Sequence, residues 1–279
     1  MIRIIVAAAF FACVLAAAAP ARAIPLFAER YHLRCAACHS VIPELNPAGN
    51  SFREHGYRFP PSVPRHGTVG VALRYQMEYE KDPAEGNRRW TPGGVLLSNF
   101  DAGAISTFLH YNLGAGGGPS GVYLMYAATY NEHTNSLYRV GQFEVPLPHS
   151  PGQRLDDLQP YGYEATQVGL NDLLFTQPRQ GIDAERNVGN ARAVATASIG
   201  AFHGAAYGGR PIPTGVTTYA SQPELGLCYN QRIASGLSVG GEELDGVRNI
   251  TLTGRTAFTD SYRRSWLYAS YEGDRFDVL

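Results

Sequence analysis

From Val69 the chain alternates apolar and polar residues without a break through Glu80, and this run limits the fold more than any other stretch. Val69, Val71, Leu73, Tyr75, Met77 and Tyr79 lie on one side; Gly70, Ala72, Arg74, Gln76, Glu78 and Glu80 lie on the other. A period of two is the signature of a β-strand with two unlike faces. An ordinary globular strand spans about 5–6 residues, whereas strands that cross an outer membrane run to about ten. Ile105, Thr107, Leu109, Tyr111 and Leu113 repeat the pattern against Ala104, Ser106, Phe108, His110 and Asn112. Val122, Leu124, Tyr126, Ala128 and Tyr130 repeat it again, ending in the polar turn Asn131-Glu132-His133-Thr134-Asn135.

Further strands are expected over 137–145, 164–175, 191–203, 217–229, 232–241, 248–259 and 262–272. Turn clusters separate them: Gly114 to Gly118, Gly208-Gly209-Arg210-Pro211 and Leu244-Asp245-Gly246. The 31 Gly and 17 Tyr suit many strands and glycine-rich turns, and several strands end in an aromatic residue, as at a membrane interface. At roughly 20 residues per strand and turn, the chain after residue 64 accommodates about ten strands. The expected fold is therefore mainly β, an antiparallel outer-membrane-type barrel behind a small N-terminal helical segment. A soluble β-sandwich also alternates, with shorter strands and its charged face outward. A net charge of −1 without a basic stripe excludes nucleic acid as a partner.

Residues 1–23 have the anatomy of a signal peptide: Arg3, an apolar run from Ile4 to Ala19, and Ala21-Arg22-Ala23 as the cleavage site. Cys13 lies inside it. Export to the periplasm or outer membrane is the expectation. The prolines of Pro60-Pro61-Ser62-Val63-Pro64 divide the rest into a segment over 24–64 and a β region over 65–279.

The first of these carries Cys35-Ala36-Ala37-Cys38-His39. Two thiols three positions apart suit thioether bonds to the vinyl groups of one haem, and the next His is placed to ligate the iron. A zinc site would need a second Cys/His pair, and a thioredoxin-like dithiol would need a βαβ pattern around it; the sequence offers neither. One covalent haem c is the expected cofactor, held by Cys35, Cys38 and His39. Phe27 to His39 is expected to form one helix carrying the motif. Asn46 and Pro47 read as the N-cap and first residue of a second helix, with Gly56 as its stop.

His55, on the face of that second helix shared with Phe52, is the first candidate for the other axial position, the bland alternative being a solvated residue. His66 follows the prolines, and His32 sits too near His39 to reach the far side of a haem. Met77 belongs to an apolar strand face; Met125, opposite Leu124 and Tyr126, is expected to face a lumen. Asp156-Asp157, Glu242-Glu243 and Glu132 could offer carboxylates to Fe²⁺ at a loop mouth, though such pairs are more often solvated. Cys228 reads as a small strand residue.

The stretch from Ile24-Pro25-Leu26-Phe27 through the Cys-x-x-Cys-His motif to Pro43-x-Leu45-Asn46-Pro47-x-Gly49-x-x-Phe52-Arg53-x-x-Gly56-Tyr57 resembles the N-terminus of fused monohaem cytochrome–porin proteins of the outer membrane. Arg139 to Leu147 is similar to a strand of phosphate-selective-type porins. The resemblance implies an electron carrier in outer-membrane lipid, between an external donor, for which ferrous iron is a candidate, and periplasmic electron carriers. Ferrous iron oxidation is one activity the resemblance leaves open to such a carrier. Two alternatives stay open: a soluble periplasmic c-type cytochrome with a β docking domain, and a porin-like channel whose haem is structural or sensory. The chain lacks the terminal aromatic residue of such barrels, so an incomplete barrel is a further expectation to weigh.

Overall fold

Two short helices, α1 (Leu26–Arg30) and α2 (Pro47–Glu54), and a ribbon of β1 (His39–Val41) with β2 (Glu44–Leu45) precede a twelve-stranded sheet. Its strands are β3 (Thr68–Lys81), β4 (Arg88–Ala102), β5 (Ile105–Asn112), β6 (Gly121–Asn131), β7 (Ser136–Phe143), β8 (Arg179–Val188), β9 (Ala191–Ala201), β10 (Val216–Ala220), β11 (Glu224–Ala234), β12 (Leu237–Leu252), β13 (Arg255–Glu272) and β14 (Asp277–Val278). This computed structural model describes those elements with short flanks, together with Val168 and Asn171. Residues 1–25, the proline boundary with His66, and Asp156-Asp157 lie outside the described residues.

Every pairing in the sheet is antiparallel, and neighbours in space are neighbours in sequence except at β10. Ala220 pairs with Arg248 and Leu225 with Asp245, so β10 and β11 lie end to end along one edge of β12. They fill a single place in the wall, and β3 to β13 therefore occupy about the ten positions expected of this length of chain. The expected barrel is not closed. Among the described residues β3 and β13 pair with each other nowhere, and β14 covers only the last two residues of β13.

Connections differ at the two ends. Residues 103–104, 132–135, 189–190 and 235–236 link strands at one end, with Gly103, Asn135, Gly189 and Gly236 all at positive φ. At the other end the links are 82–87, 113–120, 144–178, 202–215 and 253–254.

Side chains are partitioned the opposite way from a water-soluble sheet. Val69, Val71, Leu73, Tyr75 and Met77 of β3 are 57–65% exposed, and Met125, Val140, Ile182, Ile199, Leu225 and Leu227 continue the apolar surface across the outward face. The inward face buries charge instead: Arg139 and Asp183 face each other across β7 and β8, and Arg192 reaches Glu185 at 2.8 Å. Met125 is thus outward, against expectation. Leu124, Tyr126 and Ala128 point inward because the helical segment supplies them with an apolar partner there.

Two sequence readings are corrected, and a third, the strand over 164–175, falls mostly outside the described residues. Leu244-Asp245-Gly246 is no turn; it lies inside β12. A Cβ at Gly246 would meet the Tyr262 hydroxyl at 2.4 Å and one at Gly240 the Tyr268 ring at 2.5 Å, so these glycines make room for cross-strand tyrosines. β4 and β8 were not expected, since Pro92-Gly93-Gly94 interrupts the first and the inward charges of Asp183 and Glu185 mask the second. In 164–175 only Val168 and Asn171 are described, joined by an isolated bridge.

Candidate cofactor site at the tight-turn end

The motif is not helical throughout. α1 stops at Arg30, where His32 takes a left-handed conformation (φ 53°) and the Leu33 N–H reaches back to the Ala28 carbonyl at 2.9 Å. That is a Schellman closure, and His is one of the few non-glycine residues that tolerate its C′ position. The single helix expected over Phe27 to His39 therefore becomes α1, a turn, and one turn of 3₁₀ helix at Cys35–Ala37. The Cys38 N–H donates to the Cys35 carbonyl at 3.1 Å, and His39 opens β1 opposite Leu45. Neither Cys35 nor Cys38 is in a disulfide, and both are half-buried. Partial burial, then the adjacent Cys35, raises the Cys38 thiol pKa.

Asn46 ties this turn to α2. Its side-chain oxygen accepts from the Gly49 N–H at 2.9 Å as the expected N-cap, while its amide nitrogen donates to the Ala36 and Ala37 carbonyls at 3.4 and 3.3 Å. Its backbone N–H donates to the Cys38 carbonyl at 3.0 Å. Gly49 completes the clamp, for a Cβ there would lie 2.1 Å from the Cys38 oxygen. α2 ends as expected at Gly56 (φ 68°), with the Tyr57 N–H on the Phe52 carbonyl at 2.9 Å.

This assembly sits on the inward face of the sheet, at the end with the tight turns. Phe27 stacks on Tyr57 (4.9 Å between centroids), Tyr57 on Phe108 of β5 (4.7 Å), and Phe52 meets Phe27 edge-on at 5.2 Å. Burial raises the Tyr57 and Tyr31 hydroxyl pKa values, keeping both rings neutral. Around the rings, polar contacts fasten segment to wall. Arg58 reaches the buried Asp101 at 2.8 Å, Arg30 reaches Asn99 at 2.5 Å, and Ser106 Oγ donates to the Gly56 carbonyl at 3.2 Å. Glu54 lies 3.7 Å from Arg192.

His55 caps α2, with Nδ1 2.6 Å from the Ser51 carbonyl oxygen and its ring 4.7 Å from Tyr130 of β6. The structure thus seats His55 against the wall. Glu242 and Glu243 cannot form one acidic site, because Glu242 is buried inward while Glu243 is outward, near Arg263 at 3.5 Å. Glu132 lies in the β6–β7 turn, and no cluster of three metal-ligating side chains occurs among the described residues. The Asp101–Arg58 contact and the Phe108 stack were not anticipated. Their partners are distant in sequence, and Pro92-Gly93-Gly94 masks the strand character of β4.

Two half-buried, uncrosslinked thiols on a fixed turn, followed directly by an imidazole, fit a covalently held haem c. Compared with protein-family models, curated proteins and solved structures, the chain matches none.

Proposed function

We propose that this chain is a c-type monohaem electron-transfer protein of the outer membrane, passing electrons between an external donor and periplasmic carriers. The observation that carries the reading is the Cys35-x-x-Cys38-His39 turn, clamped by Asn46 at the tight-turn end of a sheet whose outward face is apolar. Cys35 and Cys38 would hold the group covalently and His39 would ligate its iron; His55, whose ring lies against Tyr130, would be the candidate for a second ligand. Haem c supplies one-electron redox cycling, and the protein sets its potential through ligation and burial. Tight turns at one end and, but for 253–254, longer links at the other are what an outer-membrane barrel has, the tight turns being periplasmic. On that pattern the motif lies where periplasmic carriers can reach it.

The reading includes closure of the wall by β3 and β13. β3 is one edge, β13 is covered at the other only over its last two residues by β14, and the two run in opposite senses, so an even antiparallel barrel needs no change of strand direction. Open edges in lipid would leave backbone groups unpaired at several kcal/mol each. The test is export in a host with working haem-ligation machinery, followed by haem staining of the denatured chain. Wild type stains, in the membrane fraction; Cys35→Ala with Cys38→Ala does not. Staining that survives the double substitution refutes the attachment, and recovery of haem-loaded chain in the periplasmic fraction without detergent refutes the membrane reading.

A further inference from the structure

Away from the motif, on the inward face of β8 to β13, a second constellation is left incomplete. Arg179 of β8 and Arg248 of β12 are each only 2% exposed, and both converge on one carboxylate, Glu224 of β11, which is fully buried. Arg248 Nε donates to Glu224 Oε1 at 2.9 Å; Arg179 Nη1 donates to Oε2, and the Tyr262 hydroxyl donates to Oε1. Asp260, the nearest carboxylate on β13, accepts from Asn171 at 2.7 Å. Two guanidiniums thus converge on one carboxylate in a site nearly closed to solvent. A buried N–H group left without an acceptor is costly, and an anion that accepts from it removes that cost.

Which edge of Arg179 is satisfied matters more. Its Nη1 serves Glu224, but Nε and Nη2 have no hydrogen-bond partner among the described residues. Nε and Nη2 form the side-on fork of the guanidinium, whose two parallel N–H groups match two oxygens of one carboxylate or tetrahedral oxyanion. On neighbouring strands of the same wall, two buried hydroxyls also lack partners among the described residues: Ser198 Oγ on β9, directly across the ladder from Glu224, and Thr218 Oγ1 on β10, two residues from the Ala220 that faces Arg248. Hydroxyls can donate to the remaining oxygens.

We infer that this wall holds a binding site for a small oxyanion, gripped side-on by Arg179 and completed by the hydroxyls of Ser198 and Thr218, with Arg248 and Glu224 fixing the arginine. The site is separate from the haem motif and goes beyond the electron-transfer reading.

The test uses the full-length holo-protein in detergent, titrated with sodium sulfate and separately with sodium acetate, sodium chloride holding ionic strength constant. Thermal unfolding is the readout, and the haem spectrum is recorded alongside. Saturable stabilisation by either probe, with the spectrum unchanged, is expected, because a ligand of the folded state raises its stability. Arg179→Lys keeps the charge and loses the fork, so saturation should weaken by at least about tenfold. Ser198→Ala, a small change on the same wall, should weaken it by roughly tenfold or more, as the loss of one hydrogen bond to a charge does. Absence of a saturable response to both probes in the wild type overturns the inference. So does an Arg179→Lys protein that binds like the wild type. Should Arg179→Lys fail to fold, wild-type affinity in Ser198→Ala overturns it instead.

Discussion

Replacing Asp101 by Asn should loosen the helical segment from the wall without unfolding the wall. Asp101 is 1% exposed, and its Oδ1 accepts from Arg58 at 2.8 Å, while Arg30 stands 3.8 Å from Oδ2 and keeps its own bond to Asn99. The contact that weakens is therefore chiefly the Arg58 bond. A hydrogen bond to a charged group contributes about 1.5–3 kcal/mol. The more distant Arg30, whose side chain is 14% exposed, adds under about 1 kcal/mol after screening. A loss of about 2.5 kcal/mol results. At about 1.4 kcal/mol per decade, undocking becomes roughly 60-fold more frequent. Amide hydrogen exchange in detergent reads this directly, since the Asn50 and His55 N–H groups bond within the segment and the β12–β13 amides report the wall. Exchange across residues 47–57 should accelerate by one to two decades while β12–β13 stays fixed. Unchanged exchange in the segment, or equal acceleration in segment and wall, refutes the idea that Asp101 is a local latch.

Gly49→Ala should disrupt the motif turn, because the new methyl would sit 2.1 Å from the Cys38 oxygen; covalent haem per chain, read from staining against protein, should fall by at least half. Asn46→Ala removes the N-cap and two carbonyl contacts, about 1–2 kcal/mol, and should raise proteolytic cutting between residues 33 and 47 ahead of any change in the strands. His55→Ala should alter the low-spin absorption bands of the holo-protein; an identical spectrum discards His55 as an axial ligand. Leu73→Arg is already on an exposed position, so in water it would cost almost nothing, whereas facing lipid it should cost about 2–4 kcal/mol in reversible unfolding from vesicles.

The parts of this molecule legible in its sequence are those governed by neighbours along the chain. The alternation of β3, the Asn46-Pro47 start of α2 and its stop at Gly56 rest on local rules, and each appears where those rules put it. The misreadings have a common cause, in that the deciding partner lies on another strand. Gly246 looks like a turn until Tyr262 is seen lying over it, and the helix through the motif looks continuous until His32 closes α1 early. β8 was hidden because a strand that turns Asp183 and Glu185 inward does not read as core. The cysteine motif was plain in sequence, but the clamp that holds it needed Asn46 and Gly49 to be seen against Cys38.

The distribution of side chains bears on which solvent surrounds the wall. Leu73 and Tyr75 exposed to water would form part of a contiguous apolar surface of the kind that drives association. Asp183 and Glu185 buried inside, even when paired with Arg139 and Arg192, offset little of their desolvation cost. In water both faces therefore work against folding. With lipid outside, the first cost becomes a gain, since apolar side chains face hydrocarbon, and the strand ladders satisfy the backbone polar groups. The inward face then needs apolar contact in one place only, at the tight turns, where Phe27, Phe52 and Tyr57 pack on Phe108 and Tyr126. That local apolar patch explains why the cysteine-bearing segment docks at this end, and why Tyr126 points inward when the alternation of β6 alone would have put it out.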